Sequence, residues 1–122
     1  MKRDLDLARS ILREIEACED TWGLSECPEI EGYSHKQVAY HVKLLHEAGL
    51  INATDSSSMG PEGFDWMPGN LTWKGHEFID ASKDNDVWSK AKGSVLKPTV
   101  SITFDLLLEW LKLKAKEKLG LP

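Results

Sequence analysis

Histidine and cysteine are the residues of this chain best suited to metal chemistry, but their spacing does not predict a site. His35, His41 and His46 follow one another at intervals of six and five residues, so neither neighbouring pair shares a helix face well. A zinc site usually shows Cys-x-x-Cys or His-x-x-x-His spacing, which Cys18 and Cys27 do not provide. We therefore predict no metal and no cofactor, and interpret these residues as surface histidines and helix-end cysteines.

Catalytic motifs are equally incomplete. His76-Glu77 begins the His-Glu-x-x-His pattern of zinc proteases, but Asp80 stands where the second histidine is needed. The chain has no glycine-rich phosphate loop, no nucleophile elbow and no Cys/His pair in a recognisable frame. We expect a protein that is not an enzyme and has no catalytic residues.

One helix carries side chains that could bind DNA. Lys36, Gln37, Tyr40 and Lys43 should face outward from a helix over residues 35–48. Lysine can contact phosphates and glutamine can contact base edges, so these four residues are the candidate nucleic-acid-binding site. The alternative is that these side chains are merely solvated. The apolar Leu44 gains nothing from phosphate and should pack on another element or on a partner.

The bounds of that helix follow from capping signals. Ser34 and Gln37 fit a capping box at its start, and Gly49 fits a left-handed cap at its end. Three apolar residues with helical spacing should face the core, namely Val38, Val42 and Leu45.

The remaining pattern predicts a mainly α fold with a small antiparallel wing. A helix at about 3–19 and an irregular loop at 20–33 come first. Strands at 50–54 and 64–68 enclose a turn at 55–63. Thr72 should cap another helix, and apolar residues from Val87 to Val95 predict a further helix that stops before Pro98. A last helix should span 102–118. We expect one domain over 1–122, with a core at 1–83 and closing helices at 84–122.

Two segments resemble known repressors. The chain from Val38 to Ile51 ends a helix in Ala-Gly-Leu and enters the wing, as in winged-helix repressors of the arsenic-repressor and multiple-antibiotic-resistance types. Leu71-Thr72-Trp73-Lys74-Gly75 resembles the Leu-Thr-x-x-Gly that follows the wing in those families. The resemblance implies a winged helix-turn-helix-like fold with additional C-terminal helices.

Nearly the whole chain resembles a family of short phage- and prophage-associated winged-helix proteins with no known activity. The segments that carry this resemblance are 2–7, 38–51, 71–81 and Val87-Trp88. It implies a phage or bacterial setting. One departure matters, because the loop 20–33 occupies the place of the supporting helix that standard DNA-reading units have.

Charge and hydropathy limit the possible partners. The net charge is −5, and an acidic protein binds DNA well only if its basic groups gather on one face. No apolar run approaches the ~20 residues that span a bilayer, and Met1-Lys2-Arg3-Asp4 does not start a secretory signal. We predict a cytoplasmic protein with no membrane contact.

The last helix has two apolar stripes. One contains Phe104, Leu107, Leu108 and Leu111, and the other contains Leu106, Trp110 and Leu113. The second stripe could bury against another copy of the chain, which makes these three residues the candidate dimer interface. Alternatively, both stripes pack within one chain.

The sequence supports one leading function and one alternative. The leading interpretation, which rests on the resemblance of residues 38–51 to a recognition helix, is a dimeric phage or prophage regulator of transcription that binds double-stranded DNA. The alternative is a non-enzymatic protein-interaction module that acts on a host or phage protein, which the acidity and the reduced supporting helix favour.

Overall fold

The structure is a computed structural model that describes residues 1–94 and 103–120. Two compact units divide the chain, Met1–His76 and Glu77–Pro122. The described elements are α1 (Leu5–Ala17), α2 (His35–Glu47), β1 (Ile51–Asp55), β2 (Trp66–Leu71), α3 (Trp73–Ser82), α4 (Asn85–Ser94) and α5 (Phe104–Lys118). The prediction of a mainly helical fold with a small antiparallel sheet is confirmed. None of the described helices combines the length and apolarity that crossing a membrane requires.

The core of the first unit forms between α1, α2 and the sheet. Asp4 begins α1 by accepting a hydrogen bond from the Leu7 amide at 3.1 Å. The apolar spacing of α1 then directs one side inward, as periodicity predicts. Its largest buried residues are Leu7, Ile11, Leu12 and Ile15.

Helix α2 has the predicted capping box. The Ser34 amide donates to Gln37 Oε1 at 2.8 Å, and the Gln37 amide donates to Ser34 Oγ at 3.2 Å. Gly49 follows the helix at φ +79°, where a residue with a side chain would be strained. The three predicted core residues, Val38, Val42 and Leu45, are all buried. The predicted helix 35–48 is therefore confirmed to within one residue.

An antiparallel hairpin follows α2 and consists of β1, β2 and the turn between them, residues 51–71. Ile51 pairs with Leu71 and Thr54 with Met67, with a register irregularity between Ile51 and Ala53. The second strand lies two to three residues later than predicted. Asp65 belongs instead to the turn, where its carbonyl accepts hydrogen bonds from the Ser56 amide and the Ser57 hydroxyl.

The base of the hairpin is closed by backbone contacts. The Thr72 amide donates to the Leu50 carbonyl at 2.9 Å, and the Thr72 hydroxyl donates to the Gly49 carbonyl at 2.6 Å. The same hydroxyl accepts from the Gly75 amide at 3.2 Å, so Thr72 caps α3 as predicted. A Cβ at Gly75 would lie 2.1 Å from the Leu50 carbonyl oxygen. The Leu-Thr-x-x-Gly pattern therefore needs glycine because two backbone segments touch there.

The second unit has its own aromatic cluster. The Phe78 ring, from the part of α3 in this unit, lies 6.0 Å from the Trp88 ring, edge-on, and 5.1 Å from the Phe104 ring. Leu107 and Leu111 of α5 are buried. Thr103 caps α5 by accepting from the Leu106 amide, so the described part of the last helix begins two residues after its predicted start. Three positions used for the predicted helix bounds lie outside the described residues, namely Val95, Pro98 and residue 102. The prediction of one domain divided at 83/84 stays a prediction.

Candidate interaction surface

The predicted nucleic-acid-binding residues lie on one side of α2. Lys36 is exposed, whereas Gln37, Tyr40 and Lys43 are half-buried. Leu44 is half-buried too. The structure therefore brings the four predicted site residues together, and their contacts decide what this surface can bind.

The two lysines of this surface face acids from the hairpin. Lys36 Nζ lies 3.7 Å from Glu62 Oε2. The pKa of Asp55 is lowered, first by hydrogen bonds from the Ser57 hydroxyl and amide, and also by the charge of Lys43. Exposed pairs of this kind add little stability. Glu62 nevertheless places a negative charge beside Lys36, and the Asp55 carboxylate interacts with the charge of Lys43, so the surface is not strongly positive.

The other two predicted contact residues are engaged by the fold. The Gln37 side chain accepts the Ser34 amide in the capping box. The Tyr40 ring centroid lies 6.5 Å from that of Phe64 in the hairpin, and Lys43 Nζ lies 5.8 Å from the Tyr40 ring. Gln37 thus caps α2 and Tyr40 contacts the hairpin, which limits the freedom of both side chains to contact a base.

The loop before α2 contains no supporting helix. Residues 18–34 form turns and irregular backbone, as the glycine and proline pattern predicts. Gly23 fixes this loop against β2: it has φ +88°, and a Cβ there would lie 2.5 Å from the Gly69 backbone. The Asn70 side-chain amide also donates to the Thr21 carbonyl. The standard helix-turn-helix docking unit is therefore incomplete here.

Two tryptophans of the first unit are almost fully solvent-exposed. Trp22 is 88% exposed and Trp73 is 82% exposed. Trp22 follows Thr21, which is bound to Asn70, and Trp73 is three residues after Asn70. Both indoles therefore emerge from chain segments beside the end of β2. Helical periodicity does not identify these two residues, but Trp22 lies in a loop rich in turn signals, where exposure is usual.

A buried histidine also escaped the sequence analysis. His41 is buried: its Nε2 accepts the Asp4 amide at 2.8 Å, and its Nδ1 donates to the Gln37 carbonyl at 2.8 Å. The prediction that His41 is a surface residue is wrong. Val38, His41, Val42 and Leu45 complete an i, i+3, i+4, i+7 stripe, so helical periodicity could have found it.

The carboxylate of Asp4 extends this network to Tyr33. The Tyr33 hydroxyl donates to Asp4 Oδ2 at 2.7 Å. Burial raises the pKa of Asp4, but hydrogen bonds from Tyr33 and the Leu7 amide outweigh it, so the net shift is downward. The same Tyr33–Asp4 hydrogen bond, with burial, raises the pKa of Tyr33 to about 12. The network ties the start of α1 both to α2 and to the loop before it.

Three possible metal ligands converge at the start of α2. One donor atom each from Cys27, His35 and Asp65 lies within 4.8 Å of the other two. His35 Nε2 is 3.0 Å from Asp65 Oδ1. Burial, with the charge of Asp65, raises the pKa of the Cys27 thiol to about 11. Spacing along the sequence could not reveal this cluster, because an irregular loop and a hairpin bring its members together.

In the second unit, the two predicted stripes of α5 differ in exposure. Leu107, Leu108 and Leu111 are buried. Leu106 is 58% exposed and Leu113 is 53% exposed. Trp110 is half-buried, with Lys114 Nζ 5.6 Å from its ring. The candidate dimer residues thus keep apolar surface in contact with solvent, and the dimer stays a prediction.

Several lysines of α5 have acidic partners within their own unit. Lys112 pairs with Glu77, and Lys118 pairs with Asp84. These contacts raise the pKa of both lysines, mainly through the hydrogen bond to the carboxylate in each pair. The basic end of α5 is therefore partly neutralised and does not form an open phosphate site.

Comparisons with known proteins place the chain among relatives without an assigned function. Residues 2–101 match the profile of a family described as Hypothetical protein (DUF2513). The chain is 35% identical over 107 residues to a protein of Haemophilus influenzae described as Uncharacterized protein, and the match covers 88% of this chain and 89% of that protein. No solved structure matches the chain.

Proposed function

The chain belongs to the family described as Hypothetical protein (DUF2513), and we propose that it is a non-enzymatic protein-interaction module with a winged-helix-like fold. The observation that carries the proposal is the negative charge that the hairpin brings to the lysines of α2. Lys36 Nζ lies 3.7 Å from Glu62 Oε2, and the charge of Lys43 acts on the Asp55 carboxylate and helps to lower its pKa. DNA affinity depends on neutralising several phosphates, and a surface whose lysines already face carboxylates supplies little of that attraction.

The charge of the whole first unit supports the same proposal. Residues 1–76 contain seven Lys/Arg and thirteen Asp/Glu, a net charge of −6. A unit with this negative net charge repels a polyanion such as DNA at long range and attracts a partner with basic groups. The partner that fits is therefore a protein surface with basic residues, from a host or a phage.

The exposed indoles supply the anchors for this partner. Tryptophan is the residue type most enriched among side chains that dominate binding energy at protein interfaces. Trp22 and Trp73, at 88% and 82% exposure, leave large apolar areas in water. Burial of each indole in a pocket of the partner would give affinity, and two anchors together would fix the orientation of the partner.

The test compares capture by the wild type with capture by a Trp22→Ser/Trp73→Ser double variant. Proteins retained from a lysate of the bacterium that carries the gene are identified, and the chosen partner is purified for calorimetry. We expect each tryptophan to contribute about 2 kcal/mol, which is about 30-fold in Kd. Lys36→Ala/Lys43→Ala is the matched control and should keep its affinity. Equal binding by the tryptophan variant would refute the proposed surface.

The second candidate is a DNA-binding regulator of transcription. Two observations favour it. Val38, Val42 and Leu45 of α2 are buried, and α2 leads directly into the hairpin, which is the arrangement of a winged helix. A mobility-shift series starting at about 50 mM salt tests it, because unspecific contacts are strong there. DNA binding that Lys36→Ala/Lys43→Ala removes and the tryptophan variant keeps would replace the first proposal with this one.

The setting and the assembly are proposals as well. The resemblance of residues 2–7, 38–51 and 71–81 supports a phage or prophage protein that acts in the cytoplasm. The exposure of Leu106 and Leu113, with Trp110 between them, supports a homodimer formed through α5. Apolar residues exposed in a row on one helix are a common mark of such interfaces.

A further inference from the structure

We propose that Cys27, His35 and Asp65 bind one Zn²⁺ ion. Their donor atoms all lie within 4.8 Å of one another. Each comes from a different segment: the loop before α2, the first residue of α2, and the residue before β2. This inference is independent of the proposed function and would survive its failure.

The separations suit zinc after a small adjustment. Zinc takes thiolate sulfur at about 2.3 Å and imidazole nitrogen or carboxylate oxygen at about 2.0–2.2 Å, so ligands of a tetrahedral site are about 3.5 Å apart. His35 Nε2 and Asp65 Oδ1 are already 3.0 Å apart. A movement of roughly 1 Å by the thiol and the carboxylate, well within rotamer freedom, completes the three-ligand set.

The donor types select the metal. A thiolate and an imidazole favour zinc over magnesium and calcium, which prefer oxygen ligands. Three protein ligands leave the fourth tetrahedral position to water or to an external ligand. Cys27 would release its proton to the solvent as the Zn–S bond forms. His35 Nε2 would give up its hydrogen bond to Asp65 to bind the ion, and the neutral ring would then carry its one N–H proton on Nδ1.

Surrounding contacts hold Asp65 and the backbone of His35. Asp65 Oδ1 accepts the Trp66 amide at 3.0 Å, and the Asp65 amide donates to Ser57 Oγ at 2.9 Å. The capping box of the preceding Ser34 fixes the backbone of His35 at the first turn of α2. Contacts of this kind around ligands raise metal affinity, because less ordering is required on binding.

A nucleophilic cysteine is the competing interpretation of the same three residues. A Cys-His-Asp set can activate a thiol, but activation requires a stabilised thiolate. Burial and the neighbouring Asp65 charge instead raise the pKa of Cys27 to about 11, so the thiol stays protonated at neutral pH. A bound cation favours the thiolate form of Cys27 instead, because its positive charge compensates both the thiolate and the Asp65 carboxylate.

The experiment is a titration of the full chain, reduced and free of metal, with zinc chloride in a calorimeter and with cobalt chloride in a spectrophotometer. We expect one ion per chain and a thiolate-to-cobalt charge-transfer band. Cys27→Ser, His35→Ala and Asp65→Asn should each weaken zinc binding at least tenfold. Cys18→Ser and His76→Ala are matched controls that should bind like the wild type.

Circular dichroism of each variant without metal separates ligand loss from misfolding. All three ligands are exposed or half-buried, so the spectra of the three ligand variants should match that of the wild type. Zinc should raise the midpoint of thermal unfolding of the wild type and of both controls, but not of the ligand variants. Absence of zinc binding to the wild type, or an unchanged cobalt band in Cys27→Ser, would overturn the proposal.

Discussion

Replacing His41 with alanine should destabilise the first unit strongly. The substitution removes the acceptor of the Asp4 amide and the donor to the Gln37 carbonyl, both at 2.8 Å. An unsatisfied buried donor costs about 1–3 kcal/mol. The donor here is the amide of Asp4, and because Asp4 is half-buried the cost should fall in the lower half of that range. Loss of ring packing adds about 1 kcal/mol. We expect a total of about 2–3 kcal/mol.

Urea unfolding followed by circular dichroism measures this change. With an m-value of about 1–2 kcal/mol per molar, the midpoint should fall by about 1–3 M. Amide hydrogen exchange in α1 gives a second, local readout, because His41 holds the start of that helix. His76→Ala is the control: His76 is exposed and in the same unit, so its effect should stay within about 0.5 kcal/mol.

A graded series sharpens the test. The side chain of His41→Gln can place an oxygen close to the position of Nε2 and accept the Asp4 amide, whereas His41→Asn is too short. Glutamine should therefore recover part of the lost stability and asparagine should not. If His41→Ala unfolded at the same urea concentration as His76→Ala, the inferred role of this network would be wrong.

Further predictions concern two glycines, one hydroxyl and the α5 stripe. Gly32→Ala should lower the free energy of unfolding by about 1 kcal/mol, because alanine is strained in the left-handed backbone of Gly32. Gly23→Ala should lower it by about 3 kcal/mol or more, because its Cβ also meets the Gly69 backbone. Equal urea midpoints for the two variants would contradict this. The pKa of Tyr33 rises from 10 to about 12 on folding, so its contribution to stability is complete below pH 10 and is lost as the pH rises towards 12. In urea unfolding measured at several pH values, Tyr33→Phe should not show the part of the stability loss between pH 10 and 12 that comes from Tyr33. Leu106→Lys/Leu113→Lys should shift the sedimentation of a dimer to that of a monomer, and a monomeric wild type would exclude the dimer.

The sequence was most informative where local chemistry decides the structure. Ser34, Gln37 and Gly49 specify the two ends of α2 by capping, which depends on neighbouring residues alone. The second strand was placed too early because Pro68 and Gly69 weaken a strand pattern. In a two-stranded ribbon, however, each strand has a free edge, so a proline without an amide is tolerated. Pro68 lies opposite Ala53, at the irregular part of the register.

The candidate sites depended on contacts that no local pattern encodes. Glu62 comes beside Lys36, and Asp55 within the electrostatic influence of Lys43, only because the hairpin folds back towards α2. Cys27 reaches His35 through a loop without periodicity, held to β2 by the contact of Gly23 with Gly69. The residues of α2 were predictable, whereas the charge and ligands around them were not.

The root of the hairpin is closed by contacts that do not involve its tip. The Leu50 carbonyl is bound by Thr72 and lies directly beneath Gly75. Lengthening a closed loop is inexpensive, at about 0.6 kcal/mol for each doubling. Relatives are thus expected to differ in length around the fully exposed Met59, and a fluorophore or an epitope tag can be inserted there if Ser57 and Glu62 keep their contacts with Asp65 and Lys36.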